Sequence, residues 1–254
     1  MTPAVEHGRH GSAQDGVLLI DKPAGMSSHD VVARVRSALG GVRTGHAGTL
    51  DPFATGLLLV LVGKATKAQS QMMAMPKRYE TVAALGATSS TGDPEGEITV
   101  TGRLPPDPPE LPTGEIRQRP PIYSAVKIDG ERAYKRARRG ERFELPERIV
   151  TVYRFEQLWR DGDLAHPRAA YEIECSSGTY VRTLIAELHD AYCVELRRTA
   201  IGPFDVRDAC APPARTHAGT PRGAHPEGHR QARGAWWSDP PLIPLQRALA
   251  ALSK

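Results

Sequence analysis

No aliphatic run in this chain is longer than the six residues Leu57–Val62. A membrane-crossing helix needs about 20 apolar residues in succession, so a membrane protein is not expected. Short apolar segments separated by Gly and Pro predict many short elements around a common core instead. At 254 residues the chain is long enough to bury that core without disulfides or a structural metal. Cys175, Cys193 and Cys210 form no CxxC pair, which points to reduced thiols in a cytoplasmic protein. Residues 1–15 are polar with no apolar stretch; they read as a flexible leader and not a secretory signal.

The patterning favours strands. Val17–Ile20 is a short apolar strand, followed by a turn at Lys22-Pro23-Ala24-Gly25. Ser27 and Asp30 have capping-box spacing for a helix whose apolar face is Val31, Val32, Val35 and Leu39 and which ends at Gly40-Gly41. Residues 43–56 read as a Gly-rich loop. Leu57–Val62 is a buried strand or a short helix, because a continuous apolar run fits both. A helix is expected over Ala65–Met75, strands over Tyr79–Leu85 and Ile98–Thr101, a turn at Gly92-Asp93-Pro94, and a Pro-rich connection over 102–121. Ile122–Ile128 predicts a strand entering the turn Asp129-Gly130, then a basic helix over Glu131–Gly140. Strands follow over Ile149–Trp159 and Ala169–Cys175, a helix over Thr179–Asp190, and a last strand over Leu196–Ile201. Strands outnumber helices without alternating with them, which indicates an α+β fold with a mixed sheet.

From Asp208 to Pro241 the chain turns Pro-, Gly- and His-rich. The stretch reads as a disordered linker; metal binding by His217, His225 and His229 is the sharper alternative. Residues 242–254 form a short amphipathic segment able to dock on the core.

Four places carry chemistry. In Gly45–Gly56 one carboxylate, Asp51, sits among glycines that permit close backbone approach to a ligand, with His46 as a stackable ring and Arg43 as a phosphate ligand nearby. Lys77-Arg78-Tyr79 sets two cations beside an aromatic, which suits phosphate contact next to base stacking. Ser177–Thr183 is a turn running into a helix where Arg182 is either a carboxylate partner or a surface arginine. Residues 131–142 hold six cations and two acids, a local +4 equal to the excess of the whole chain, which suits a polyanion.

Taken together, Leu19-Ile20-Asp21-Lys22-Pro23 with Gly25-Met26-Ser27-Ser28, the Gly45–Gly56 loop, Lys77-Arg78-Tyr79, Pro120–Lys127, Gly178–Arg182 and Leu196-Arg197-Arg198 resemble the TruB family of tRNA pseudouridine synthases, over about Val17–Phe204. The resemblance implies a pseudouridine synthase core spanning 16–207, a mostly antiparallel mixed sheet flanked by helices. It implies isomerisation of the T-loop uridine conventionally numbered 55 to pseudouridine, without metal or organic cofactor. Asp51 would be the nucleophile. Tyr79 would stack on the target base and assist proton removal from C5, and Arg182 would pair with Asp51. His46 would support the flipped-out RNA, Tyr180 and Leu196 would line the uracil pocket, and Lys22 would support it. The partner implied is the tRNA T-arm; neither a membrane nor an obligatory protein partner is expected, and the protein is read as a monomer. The family generally carries a C-terminal RNA-binding domain; the residues after Phe204 predict no full domain of the PUA type. The rival reading is a non-catalytic tRNA-binding or RNA-folding protein on the same scaffold, which the presence of Asp51, Tyr79 and Arg182 disfavours.

Overall fold

The computed structural model describes residues 15–214 and 241–253, apart from Ala125, Asp129, Gly162 and Leu164. The leader 1–14, the three spaced histidines and the bulk of the 208–241 stretch therefore lie outside the described residues.

In chain order the elements are β1 (Gly16–Lys22), α1 (Ser28–Ala38), β2 (Thr44–Ala47), β3 (Thr55–Val62), a 3-10 turn (Gly63–Ala68) leading into α2 (Gln69–Ala74), β4 (Lys77–Leu85), β5 (Ala87–Ser89), β6 (Ile98–Val100), β7 (Gly114–Gln118), β8 (Lys127–Ile128), β9 (Glu131–Arg132), α3 (Ala133–Arg138), β10 (Arg148–Arg160), β11 (Arg168–Cys175), α4 (Val181–Ala186), β12 (Ala191–Ile201), β13 (Phe204–Asp205), β14 (Ile243–Pro244) and α5 (Leu245–Ala250). Ten strands form one sheet in the order β14-β1-β3-β12-β4-β11-β10-β7, with β13 added to β12 and β2 to β3. Among the described strand pairs only β12–β3 is parallel, at Arg197–Thr55 and Arg198–Gly56; the fold is α+β with a mixed, mostly antiparallel sheet.

Two kinds of strand explain the two kinds of sequence. Every residue of Leu57–Val62 is at most 1% exposed, because β3 is covered on both faces. Leu57, Leu59 and Leu61 pack with Met72 and Ala248, while Leu58, Val60 and Val62 pack with Val31 and Val35 of α1. A strand buried on both sides shows no alternation, and its pairing decides that the run is a strand. By contrast β4 alternates, with Lys77, Tyr79, Thr81, Ala83 and Leu85 turned inward and Arg78 and Glu80 exposed. Helix α1 begins where expected: Ser27 is its N-cap and the capping box with Asp30 is formed in both directions.

Several local readings give way to tertiary pairing. The supposed loop 43–56 contains β2, since Thr44–Ala47 pair with Leu59–Val62. The Pro-rich connection contains β7, which pairs with Arg148–Val152. The strand expected over Ile122–Ile128 contracts to β8, paired with β9, so the basic helix starts two residues late and spans only Ala133–Arg138. The helix drawn over Thr179–Asp190 stops at Ala186. There His189 and Asp190 take positive φ of 58° and 47°, and the chain reverses into β12 five residues before the expected start of that strand. Past Asp208 the chain still belongs to the sheet edge: the Cys210 amide donates to the Leu19 carbonyl at 3.0 Å and the Asp21 amide to the Cys210 carbonyl at 2.8 Å. At the same edge β14 pairs with β1, and Ala248 of α5 is fully buried.

Candidate active site

The chain brings Asp51 and Tyr79 together by register. Strand β4 lies between β11 and β12, with Tyr79 opposite Ile173 on one side and Arg198 on the other. Pleating turns Tyr79 to the buried face, and the loop between β2 and β3 carries Asp51 over it. A cavity of about 330 Å³ opens there, at the small end of ligand sites, which span about 300–1,000 Å³. Asp51, Tyr79, Tyr180, Arg182, Leu196 and Lys77 all line it.

The Asp51 loop is clamped on both sides. The Ser28 hydroxyl accepts from the Leu50 amide at 2.9 Å and donates to the Leu50 carbonyl at 3.2 Å. Beyond Asp51, the Pro52 carbonyl accepts from the Lys22 ammonium at 3.2 Å and from the Gly25 amide at 2.8 Å. Lys22 is fully buried and also donates to the Pro23 and Met26 carbonyls; desolvation lowers its pKa to about 8. Gly56 closes the loop at φ +100°, where a Cβ would lie 2.3 Å from the Arg198 carbonyl oxygen, so the parallel contact of β3 with β12 requires glycine.

Arg182 is the hub. Its side chain is 4% exposed, and Nε meets Asp51 Oδ2 at 2.9 Å. Its Nη1 donates to Asp93 Oδ2 at 2.8 Å and to the Thr91 carbonyl at 2.7 Å, and Nη2 donates to the Tyr123 carbonyl at 3.0 Å. It is therefore a carboxylate partner and not a surface arginine. Asp93 was legible only as a turn former; in the fold it is a second buried carboxylate, its other oxygen accepting from the Thr91 hydroxyl at 2.6 Å and the Glu95 amide at 3.1 Å.

The charge balance at Asp51 differs from a simple pairing picture. Burial is the largest influence and raises its pKa; Arg182, the next, lowers it, Asp93 raises it again and Lys22 lowers it. The net direction is up, so the arginine limits the cost of desolvation without cancelling it. Desolvation likewise raises the Tyr79 pKa, with the nearby positive charge of Arg198 opposing. A neutral phenol results, which fits a stacking face and a hydrogen-bonding hydroxyl better than a standing phenolate base.

Arg198, which closes the Leu196-Arg197-Arg198 motif, is 1% exposed. Its Nε donates to the Leu57 carbonyl at 2.7 Å and Nη2 to the Gly48 carbonyl at 3.1 Å. Arg197 forks onto Asp21 at 3.0 and 2.7 Å. Lys77 lines the cavity but is buried, with its ammonium on the Met73 and Met75 carbonyls and a pKa lowered to about 8 by desolvation. Tyr180 is pinned by the fully buried Gln118, whose Oε1 accepts from the Tyr180 amide at 2.7 Å and whose Nε2 donates to its carbonyl at 3.0 Å.

Lys22, Arg43, His46 and Arg78 lie off the cavity wall. His46 stands edge-on to His29 at 5.4 Å, and Arg43 and Arg78 are exposed. In the basic stretch, Arg139 forks onto Glu131 at 2.7 Å and reaches Glu141, which also holds Arg136 at 2.7 Å, so part of the local charge is spent internally. No group of three or more metal-ligating side chains occurs among the described residues, and no helix among them is long and apolar enough to cross a membrane.

Comparison with known proteins adds to this geometry. Residues 36–181 match the family model described as TruB family pseudouridylate synthase (N terminal domain). The chain is 43% identical over 203 residues to tRNA pseudouridine synthase B of Ectopseudomonas mendocina (strain ymp), covering 76% of this chain and 65% of that protein. It is 45% identical over 215 residues to the protein of the same name from Thermobifida fusca (strain YX), covering 77% and 72%. Among solved structures, a chain of a Cbf5-Nop10-Gar1 complex superposes with a TM-score of 0.57 at 32% identity, over 76% of this chain and 50% of that one.

Proposed function

The chain belongs to the TruB family of pseudouridine synthases, an enzyme family, and from that premise we propose that it converts uridine to pseudouridine in tRNA, at the T-loop position conventionally numbered 55, with Asp51 as the nucleophile. The observation that carries this reading is the Asp51–Arg182 pair at 2.9 Å, set beside Tyr79 in the wall of an open cavity. The reaction is an isomerisation. The bond from the sugar C1′ to N1 breaks, a bond from C1′ to C5 forms, C5 loses a proton and N1 gains one. No redox partner is needed.

The base has to leave its stack to reach a carboxylate set in a cavity wall. Tyr79 then offers a ring face to hold the detached uracil while it turns, with Leu196 and Tyr180 closing the pocket. Arg182, fixed by Asp93 and two backbone carbonyls, holds the Asp51 carboxylate in one orientation. Incubation with an unmodified tRNA transcript followed by nucleoside mass spectrometry with a pseudouridine-specific derivatisation tests the activity. Product is expected from the natural protein, and at least about a hundredfold less from Asp51→Asn, which keeps the shape and removes the charge. Near-natural product formation by Asp51→Asn would overturn the nucleophile, and none from the natural protein would favour an RNA-binding role alone.

A further inference from the structure

Four cationic side chains line the cavity: Lys77, Arg148, Arg182 and Arg198. Three are committed, to the Met73 and Met75 carbonyls, to the Asp51 and Asp93 carboxylates, and to the Leu57 and Gly48 carbonyls. Arg148 is different. It stands at the start of β10, its guanidinium lies over the Tyr180 ring at 4.7 Å, and its Nε and Nη2 are buried without a hydrogen-bond partner. Those two nitrogens share one edge of the guanidinium, so their N–H groups point in parallel and form the fork that matches two oxygens of a carboxylate or phosphate. A buried donor pair without a protein acceptor is costly to leave unpaired. The backbone of Tyr180 beneath it is itself held by Gln118, which fixes the ring the guanidinium rests on.

We propose that Arg148 is a substrate-binding residue that takes a backbone phosphate next to the target uridine, pulling the strand against the cavity wall so that the flipped base enters beside Tyr180. This rests on the reading above that the substrate is RNA, which supplies an anion at every nucleotide. The turn Ser177–Gly178 lies against the guanidinium and is exposed. A Cβ at Gly178 would sit 3.5 Å from Nη1, so the turn borders the guanidinium on its Nη1 side.

The test is a charge-deletion cycle read in binding. The natural protein and Arg148→Met are titrated with a T-arm stem-loop RNA, and with the same RNA carrying a neutral methylphosphonate at one or the other phosphate flanking the target uridine. Neutralising the contacted phosphate should weaken binding by the natural protein about tenfold, in keeping with a bidentate charged contact. Binding by Arg148→Met should already be weak and should change less than about threefold on the same replacement. Arg148→Lys, which keeps charge and loses the fork, should retain part of the coupling; it also runs the cycle if the Met variant does not fold by circular dichroism. Equal losses in natural and variant proteins at both phosphates, or no loss in the natural protein at either, would overturn the proposal. Pseudouridine formation is assayed separately: if the coupling holds and no pseudouridine appears, the activity proposed above falls and the phosphate site stands.

Discussion

Arg182→Met removes the guanidinium and keeps most of the stem, which isolates the charge. The side chains involved are 4% exposed for Arg182, 7% for Asp93 and 32% for Asp51. Taking one partner from a buried ion pair costs about 3–5 kcal/mol. The Asp93 end is the drier and carries most of that; the Asp51 end, a third exposed, is discounted for solvent screening. The freed Thr91 and Tyr123 carbonyls keep the loss near the upper half of the range. For a chain of this size each kcal/mol is worth roughly 2–4 °C of melting temperature, so the variant should melt about 8–20 °C lower at pH 8. The loss should also depend on pH. Carboxylates deprived of their cation bind protons more readily in the fold than in the unfolded chain, and stability then falls as pH rises. The deficit against the natural protein should therefore be largest at pH 8 and shrink toward pH 5. Adding Asp93→Asn to Arg182→Met should recover part of the stability, because the deeper of the two orphaned charges is gone. Thermal denaturation by circular dichroism across that pH range decides it. A deficit under about 1 kcal/mol, one indifferent to pH, or a double variant no more stable than the single would refute the hub reading.

Because burial holds the Asp51 pKa above the ordinary aspartate value of 3.8, the single-turnover rate should rise with pH through a limb lying above that value, as the carboxylate ionises; a limb at or below it would mean that Arg182 outweighs burial. Gln118→Met should cost about 1–3 kcal/mol in urea denaturation, since it strands the Tyr180 amide while the Tyr180 carbonyl keeps the Leu184 amide at 3.2 Å; a change within 0.5 kcal/mol, the usual surface-substitution range, would show that Gln118 does not pin the tyrosine.

Local chemistry made much of this protein legible before folding. The capping box at Ser27 and Asp30 places α1 because its hydrogen bonds are closed within four residues. The alternation in Ala169–Cys175 and Tyr79–Leu85 places β11 and β4 because a strand buried on one face repeats every two residues. Arg182 was readable as a carboxylate partner, and Asp51 as the only acid in its glycine-rich loop. Other features have no local signal. Thr44–Ala47 is a strand only because β3 runs beside it, and Leu57–Val62 could be settled as a strand only by its neighbours on both edges.

The candidate site divides the same way. The family resemblance named Asp51, Tyr79, Arg182, Tyr180 and Leu196 together, and the fold brings them to one cavity. The tertiary structure alone decided which charges are free. Arg197, Arg198 and Lys77 look like cations for RNA in a linear sequence, yet Asp21 and backbone carbonyls consume them. Asp93, in a turn, becomes the second anchor of Arg182, while Arg148 keeps an empty fork. A sequence lists charges, but whether a charge is spent depends on partners up to 176 positions away, as in Asp21–Arg197, and only the packed chain sets those distances.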